Sequence, residues 1–182
     1  SSHTSSAYAG GLVGVIGDRN LVRANFVSGQ VTAEGSYVGG VIGLVKYNNT
    51  IEGNLSTAWV EGPSNTGGIV AYDISSNNTY QNNYWATDAS GQLSSQRSRE
   101  GVSYIGLTLE TLRCATQANT TSANSDCVSE DGSQEGLNNA ATLFKDWETY
   151  GTNDAAGVFQ PYWEFGSDQQ LPGLRLNGTL HQ

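Results

Sequence analysis

The chain has no methionine, three prolines, two cysteines and two histidines, and only 8 of its 182 residues are lysine or arginine. Set against 17 acidic residues, this leaves a net charge of −9. Such a chain lacks the basic footprint that non-specific nucleic-acid binding needs, and an anionic membrane surface would repel it. None of its apolar runs approaches the ~18 residues of a membrane-spanning helix. The histidines, His3 and His181, stand at opposite ends of the sequence. They make poor acid–base partners there and have no ligand spacing to the cysteines. HExxH, GxSxG and Walker sequences are all missing. The chain opens on Ser and carries no signal-like apolar segment. It reads as an excised or processed piece of a longer protein.

Glycine, in contrast, is plentiful at 23 residues, and Asn, Ser and Thr are common. This is the composition of short strands joined by turns. The glycines are also ordered. Gly10-Gly11-Leu12-Val13-Gly14 recurs as Gly39-Gly40-Val41-Ile42-Gly43 and again as Gly67-Gly68-Ile69-Val70-Ala71. Downstream, Val22, Ile51 and Tyr80 keep step, as do the pairs Asn25-Phe26, Asn54-Leu55 and Asn83-Tyr84. A fixed period near 29 residues marks a repeat architecture, in which each copy buries its apolar face against its neighbours.

Each copy predicts an apolar strand, a polar turn, a second strand and a short third strand carrying Val31 or Val60. The apolar strand is hydrophobic on both faces, so alternation does not say which side points inward. The expected fold is all-β: a β-solenoid of about three coils over residues 1–91, with equivalent residues stacked at ~4.8 Å. Two asparagine columns follow from that register, Asn20/Asn49/Asn78 and Asn25/Asn54/Asn83. They read either as hydrogen-bonded ladders with turn geometry or as a polar ligand-binding strip. The first coil is expected to leave an exposed edge, prone to end-to-end association.

After Ser90-Gly91 the period stops, and residues 92–182 are expected to form a capping region. Residues 92–101 read as a connecting loop. Thr108 is placed to N-cap a short helix through Leu109 and Leu112, and residues 140–147 suggest another. Tyr162 to Gly166 and Leu171 to Leu174 read as strands. An open solenoid end needs a cap, and Trp147, Trp163 and Phe165 are the candidate cap residues. Sugar stacking is the rival role for the tryptophans. Cys114 and Cys127 suggest one disulfide closing a polar loop in an oxidising compartment; free thiols or half of a zinc site are the alternatives.

Taken together, the Gly-Gly-apolar openings, the apolar-x-x-Asn-apolar segments, Asn82-Asn83-Tyr84-Trp85-Ala86-Thr87-Asp88-Ala89-Ser90-Gly91-Gln92, and Trp163-Glu164-Phe165-Gly166 with Leu171-Pro172-Gly173-Leu174 resemble the GLUG-motif repeats of large bacterial surface proteins. The resemblance covers about residues 10 to 176. It departs at Ala86, where that pattern carries Asp. It implies a secreted or cell-surface location in a bacterium and a place in an adhesin-type protein, and it assigns no catalytic residue.

The expected function is therefore a non-enzymatic structural or adhesion module that extends or presents a binding surface. Its partners would be a host or environmental surface ligand and further repeats of the parent chain, with no nucleic acid and no membrane insertion. The alternative is a glycan-binding domain using Trp59 and Tyr47, and a polysaccharide-acting enzyme is a further one. For an enzyme, the candidate carboxylates are Asp73, Asp88, Asp146, Glu148, Glu164 and Asp168, and nothing in their spacing selects a pair. No cofactor is expected beyond a possible calcium ion at the acidic cluster Asp126, Glu130 and Asp131.

Overall fold

The structure is a computed structural model. It describes residues 7–34, 36–95, 104–121, 142–167, 169–176 and 179–181. The first copy supplies β1 (Tyr8–Gly10), β2 (Val13–Ile16), β3 (Leu21–Arg23), β4 (Phe26–Val27) and β5 (Gln30–Thr32). The second supplies β6 (Tyr37–Gly39), β7 (Ile42–Val45), β8 (Thr50–Glu52), β9 (Leu55–Ser56) and β10 (Trp59–Glu61). The third supplies β11 (Thr66–Gly67), β12 (Val70–Asp73), β13 (Thr79–Gln81) and β14 (Asn83–Ala86). Helix α1 (Thr87–Ser90) then stands where the fifth strand would fall.

Each strand pairs in parallel with its counterpart in the next copy. The partners Tyr8↔Tyr37, Val13↔Ile42, Leu21↔Thr50, Phe26↔Leu55 and Gln30↔Trp59 all lie one repeat apart. The chain is thus mostly strand, arranged as parallel stacks. Between the second and third copies the register is Val70↔Ile42 but Thr79↔Thr50. The third copy has therefore lost one residue before β11 and regained it in the turn after β12.

The repeated glycines lie where two backbones meet. A Cβ on Gly10 would come within 2.6 Å of the Val41 carbonyl oxygen, and one on Gly43 within 2.7 Å of the Ala9 oxygen. Strands of the first and second stacks therefore pack with no side chain between them, which only glycine permits. Beyond the glycines, Val41, Ile42, Val45, Ile51, Ile69 and Val70 form one core cluster.

The second half also joins the stack. Strand β15 (Tyr104–Leu107) extends the fourth stack by pairing in parallel with β14, Tyr84↔Ile105. Ser95, expected in a loop, is buried on the edge of the third copy. Its Oγ accepts from the Ile69 and Val70 amides, both at 2.9 Å. Helix α2 (Leu109–Arg113) starts at Thr108, whose side chain accepts from Thr111 N. The helix expected over residues 140–147 does not form across residues 142–147. Phe144 and Asp146 have φ of 49° and 60°, a left-handed backbone that stops a helix. A single 3₁₀ turn, Trp147–Thr149, follows instead.

The remaining strands are antiparallel: β16 (Gly151–Asn153) with β17 (Phe159–Pro161), and β18 (Trp163–Glu164), β19 (Gly173–Leu176) and β20 (Thr179–His181) in a row. A second core cluster joins the two halves: Leu55 and Tyr84 from the repeats pack with Leu112, Phe144, Trp147 and Trp163. Trp147 and Trp163 stack with centroids 4.2 Å apart, and Phe144 meets Phe165 edge-on at 5.5 Å. This region lies along the flank of the repeats, because Trp163 Nε1 donates to Gly53 O of the second copy and Trp147 Nε1 to Asn82 O of the third. Among the described residues no cysteine is free. Cys127, the other half of the expected bridge, lies outside them, as does the whole cluster Asp126, Glu130 and Asp131.

Candidate binding surface

Both asparagine columns are ladders. Asn20 Nδ2 donates to Asn49 Oδ1 at 3.1 Å and Asn49 Nδ2 to Asn78 Oδ1 at 3.3 Å. Asn25, Asn54 and Asn83 repeat the pattern at 2.8 Å in each step. Asn54 and Asn83 are fully buried, so these side chains hold layers together and present no strip to a ligand. Asp73 closes the first ladder. It takes the place of Val45 in its column, and its carboxylate accepts from Asn78 Nδ2, Tyr80 Oη and Ser75 N at 2.6–2.7 Å.

Three more of the six carboxylates considered as catalytic candidates are bonded within the fold in the same way. Asp88 accepts from Leu109 N at 2.8 Å, Glu148 from Asn119 Nδ2 at 2.7 Å, and Glu164 pairs with Arg175 at 2.7 Å. Asp146 is exposed on the left-handed residue before the 3₁₀ turn, and Asp168 lies outside the described residues. No buried side-chain polar atom among the described residues lacks a hydrogen-bond partner. No group of three or more His, Cys, Asp or Glu is placed there to hold a metal ion.

Trp59 and Tyr47 are both about half exposed, at 46% and 45%. They do not form one platform. Tyr47 sits in the turn between β7 and β8, whereas Trp59 is on β10, in a different stack. Trp59 also has one edge covered: a Cβ on Gly91, whose φ is +66°, would come within 3.1 Å of its ring. A row of tyrosines not foreseen from sequence runs up the outside, with Tyr8–Tyr37 centroids at 5.1 Å and Tyr37–Tyr72 at 4.7 Å. Their rings face one another, which uses the π surfaces a sugar ring would need.

A concave site lies elsewhere, between the first copy and the β18–β19 pair. Leu21, Arg23, Ala24, Tyr162, Leu174 and Arg175 line a cavity of about 320 Å³. Arg23 is anchored by Glu52 one layer away, through Nε at 2.7 Å and Nη2 at 2.5 Å. It also lies over the Tyr150 ring, 5.5 Å from the centroid. Burial raises the Tyr150 phenol above its ordinary value. Arg175 is held by Glu164 through a single Nη2 contact. Each guanidinium carries five N–H donors, so both keep donors beyond these pairs. The signal for Arg23 was in the sequence: it precedes Glu52 by one repeat, an opposite-charge pair in adjacent layers. Tyr162 and Arg175 carry no such mark.

No family model, no curated protein and no solved structure matches this chain.

Proposed function

We propose that the parallel stacks form a short β-solenoid, and that the chain is a non-enzymatic structural or adhesion module of GLUG-repeat type from an exported bacterial surface protein. The observation that carries this reading is the register. Five successive strands of one copy each find their counterpart one repeat later, so the period of the sequence is the period of the stack. The engagement of Asp73, Asp88, Glu148 and Glu164 in fold-holding bonds supports a scaffold over a hydrolase.

One observation favours a second reading, recognition of an acidic sugar or similar small carboxylate. Two guanidiniums and a tyrosine line the same cavity beside Leu21 and Leu174, and arginine is suited to planar carboxylates. A glycan array containing uronic and sialic acids, run with and without calcium, separates the two. A purely structural module expects no saturable binding. Binding abolished by Arg175→Ala would favour the cavity, and binding abolished by Trp59→Ala would favour the exposed indole.

A further inference from the structure

We propose that the open face of the first copy is a directional docking surface for one more repeat layer, recognised by the side-chain oxygens of Asn20 and Asn25. This rests on the solenoid reading above and adds to it which partner fits and which does not.

The ladders have a direction. In every inner layer the asparagine Oδ1 accepts twice from the layer before, once from a backbone N–H and once from an amide N–H. Asn49 Oδ1 accepts from Asn20 N at 2.8 Å and Nδ2 at 3.1 Å. Asn54, Asn78 and Asn83 receive the same pair of bonds. The other amide proton always goes backwards, to a carbonyl of the preceding copy. Asn49 reaches Gly17 O, Asn54 reaches Val22 O, Asn78 reaches Lys46 O and Asn83 reaches Ile51 O, at 2.6–3.0 Å.

The first layer breaks this pattern at both positions. Asn20 and Asn25 turn the backward amide proton onto their own strand, to Asp18 O at 3.2 Å and Arg23 O at 3.1 Å. Their Oδ1 atoms accept from no described residue. At the opposite end the two asparagine positions are answered: Asp73 supplies the oxygen that Asn78 needs, and β15 pairs on β14, the strand that begins at Asn83.

An independent observation comes from the apolar residues. β1 to β5 all lie at the edges of their sheets. Leu12 and Val15 are 49% and 41% exposed, while Val41 and Leu44, one repeat later, are 0% and 6% exposed. The first layer therefore carries the apolar surface of an inner layer, without a cover among the described residues.

Polarity selects the occupant. A second copy of this chain, meeting face to face, would set acceptor against acceptor at Asn20 and Asn25. A parallel layer of the same kind offers a backbone N–H and an amide N–H from two asparagines five residues apart, the spacing of 20/25, 49/54 and 78/83. The occupant is such a layer.

The test duplicates residues 37–65 immediately before Tyr8, which sets the insert one repeat ahead of the first copy. A second protein carries the same insert with Asn→Asp at the two positions copied from Asn49 and Asn54, which turns donors into acceptors. The expected result is a higher melting midpoint and slower amide exchange in β3 and β4 for the first insert, both lost in the second. Equal behaviour of the two inserts overturns the proposal. So does a concentration-dependent dimer of the unextended chain, by sedimentation, that Leu12→Lys abolishes. Asn54→Asp in the unextended chain keeps the premise separate. If it leaves the melting midpoint unchanged, the ladder reading itself falls. If it lowers the midpoint while the two inserts behave alike, only the docking inference falls.

Discussion

The indoles of Trp147 and Trp163 lie nearly parallel, 28° apart, yet their N–H groups bond to different layers of the repeat stack: Trp163 to Gly53 of the second, Trp147 to Asn82 of the third. Gly53 and Asn82 occupy one column, and with Ala24 they form a row of residues at positive φ. A left-handed residue turns its carbonyl out of the strand ladder, where a side chain can reach it. The stacked pair thus clamps two layers at their corner. It also explains why the aromatic half lies against the side of the repeats.

Truncating either ring should be costly. Trp163→Ala is expected to destabilise the chain by about 3–5 kcal/mol, the range for large buried aromatics, measured by urea denaturation. Trp163→Phe keeps one aromatic ring against Trp147 and loses the bond to Gly53 together with part of the indole volume, so it should cost clearly less. Equal costs would mean that the retained ring contributes nothing to the packing.

The ladders predict a gradient along one column. Asn54 is fully buried and bonded to Asn25, Asn83 and Val22. Asn54→Ala leaves several buried partners unsatisfied and should cost about 3 kcal/mol. Asn20 lies at the exposed end, and Asn20→Ala should cost about 1 kcal/mol or less. The check is a pair of denaturation curves; similar values would remove the distinction between inner and outer layers.

Much of this was readable in advance, for a physical reason. Gly10, Gly39 and Gly43 mark places where backbone meets backbone, and no other residue fits there, so the motif had to recur. The asparagine columns recur because each amide must meet its counterpart one layer on. What escaped notice breaks the period. Strand β15 pairs Ile105 with Tyr84, 21 positions apart in sequence instead of 29, and carries no Gly-Gly opening. Asp73 occupies an apolar column only because the third layer needs a terminal acceptor. Ser95 reads as a loop serine until the bare amides of Ile69 and Val70 are placed beside it. The helix expected near residue 144 failed on backbone handedness, which an apolar side-chain pattern does not report. The arginine-lined cavity joins residues about 150 positions apart, a pairing that no local pattern encodes.

Residue Gly53 offers a test of the flank that involves no aromatic deletion. It adopts φ of +63°, and an added Cβ would collide with the Tyr150 ring. Gly53→Ala therefore combines backbone strain with a steric clash and should lower stability by about 1–3 kcal/mol. In the double variant Gly53→Ala/Tyr150→Ala, the penalty added by the Gly53 change should shrink to the backbone part. Full additivity in that cycle would show that the ring is not in contact.

Tyr84 gives the fold an alkaline limit. Its phenol is completely buried against Phe144 and Trp147 and accepts from Lys145 N at 3.3 Å. Burial, the dominant cause, raises its pKa far above the ordinary 10.0. The folded chain thus holds the proton more tightly than the unfolded chain does. Stability from this group is complete below pH 10, because both states are then neutral. Above pH 10 the unfolded state ionises first and gains free energy, so stability falls as pH rises towards the folded value. In Tyr84→Phe this slope should be reduced, at the expense of about 1 kcal/mol at neutral pH from the bond lost to Lys145. Denaturation midpoints measured between pH 8 and 11 decide it. If the wild type and the variant lose stability in parallel above pH 10, the alkaline transition belongs to another group, with Tyr150, whose phenol burial also raises, the next to substitute.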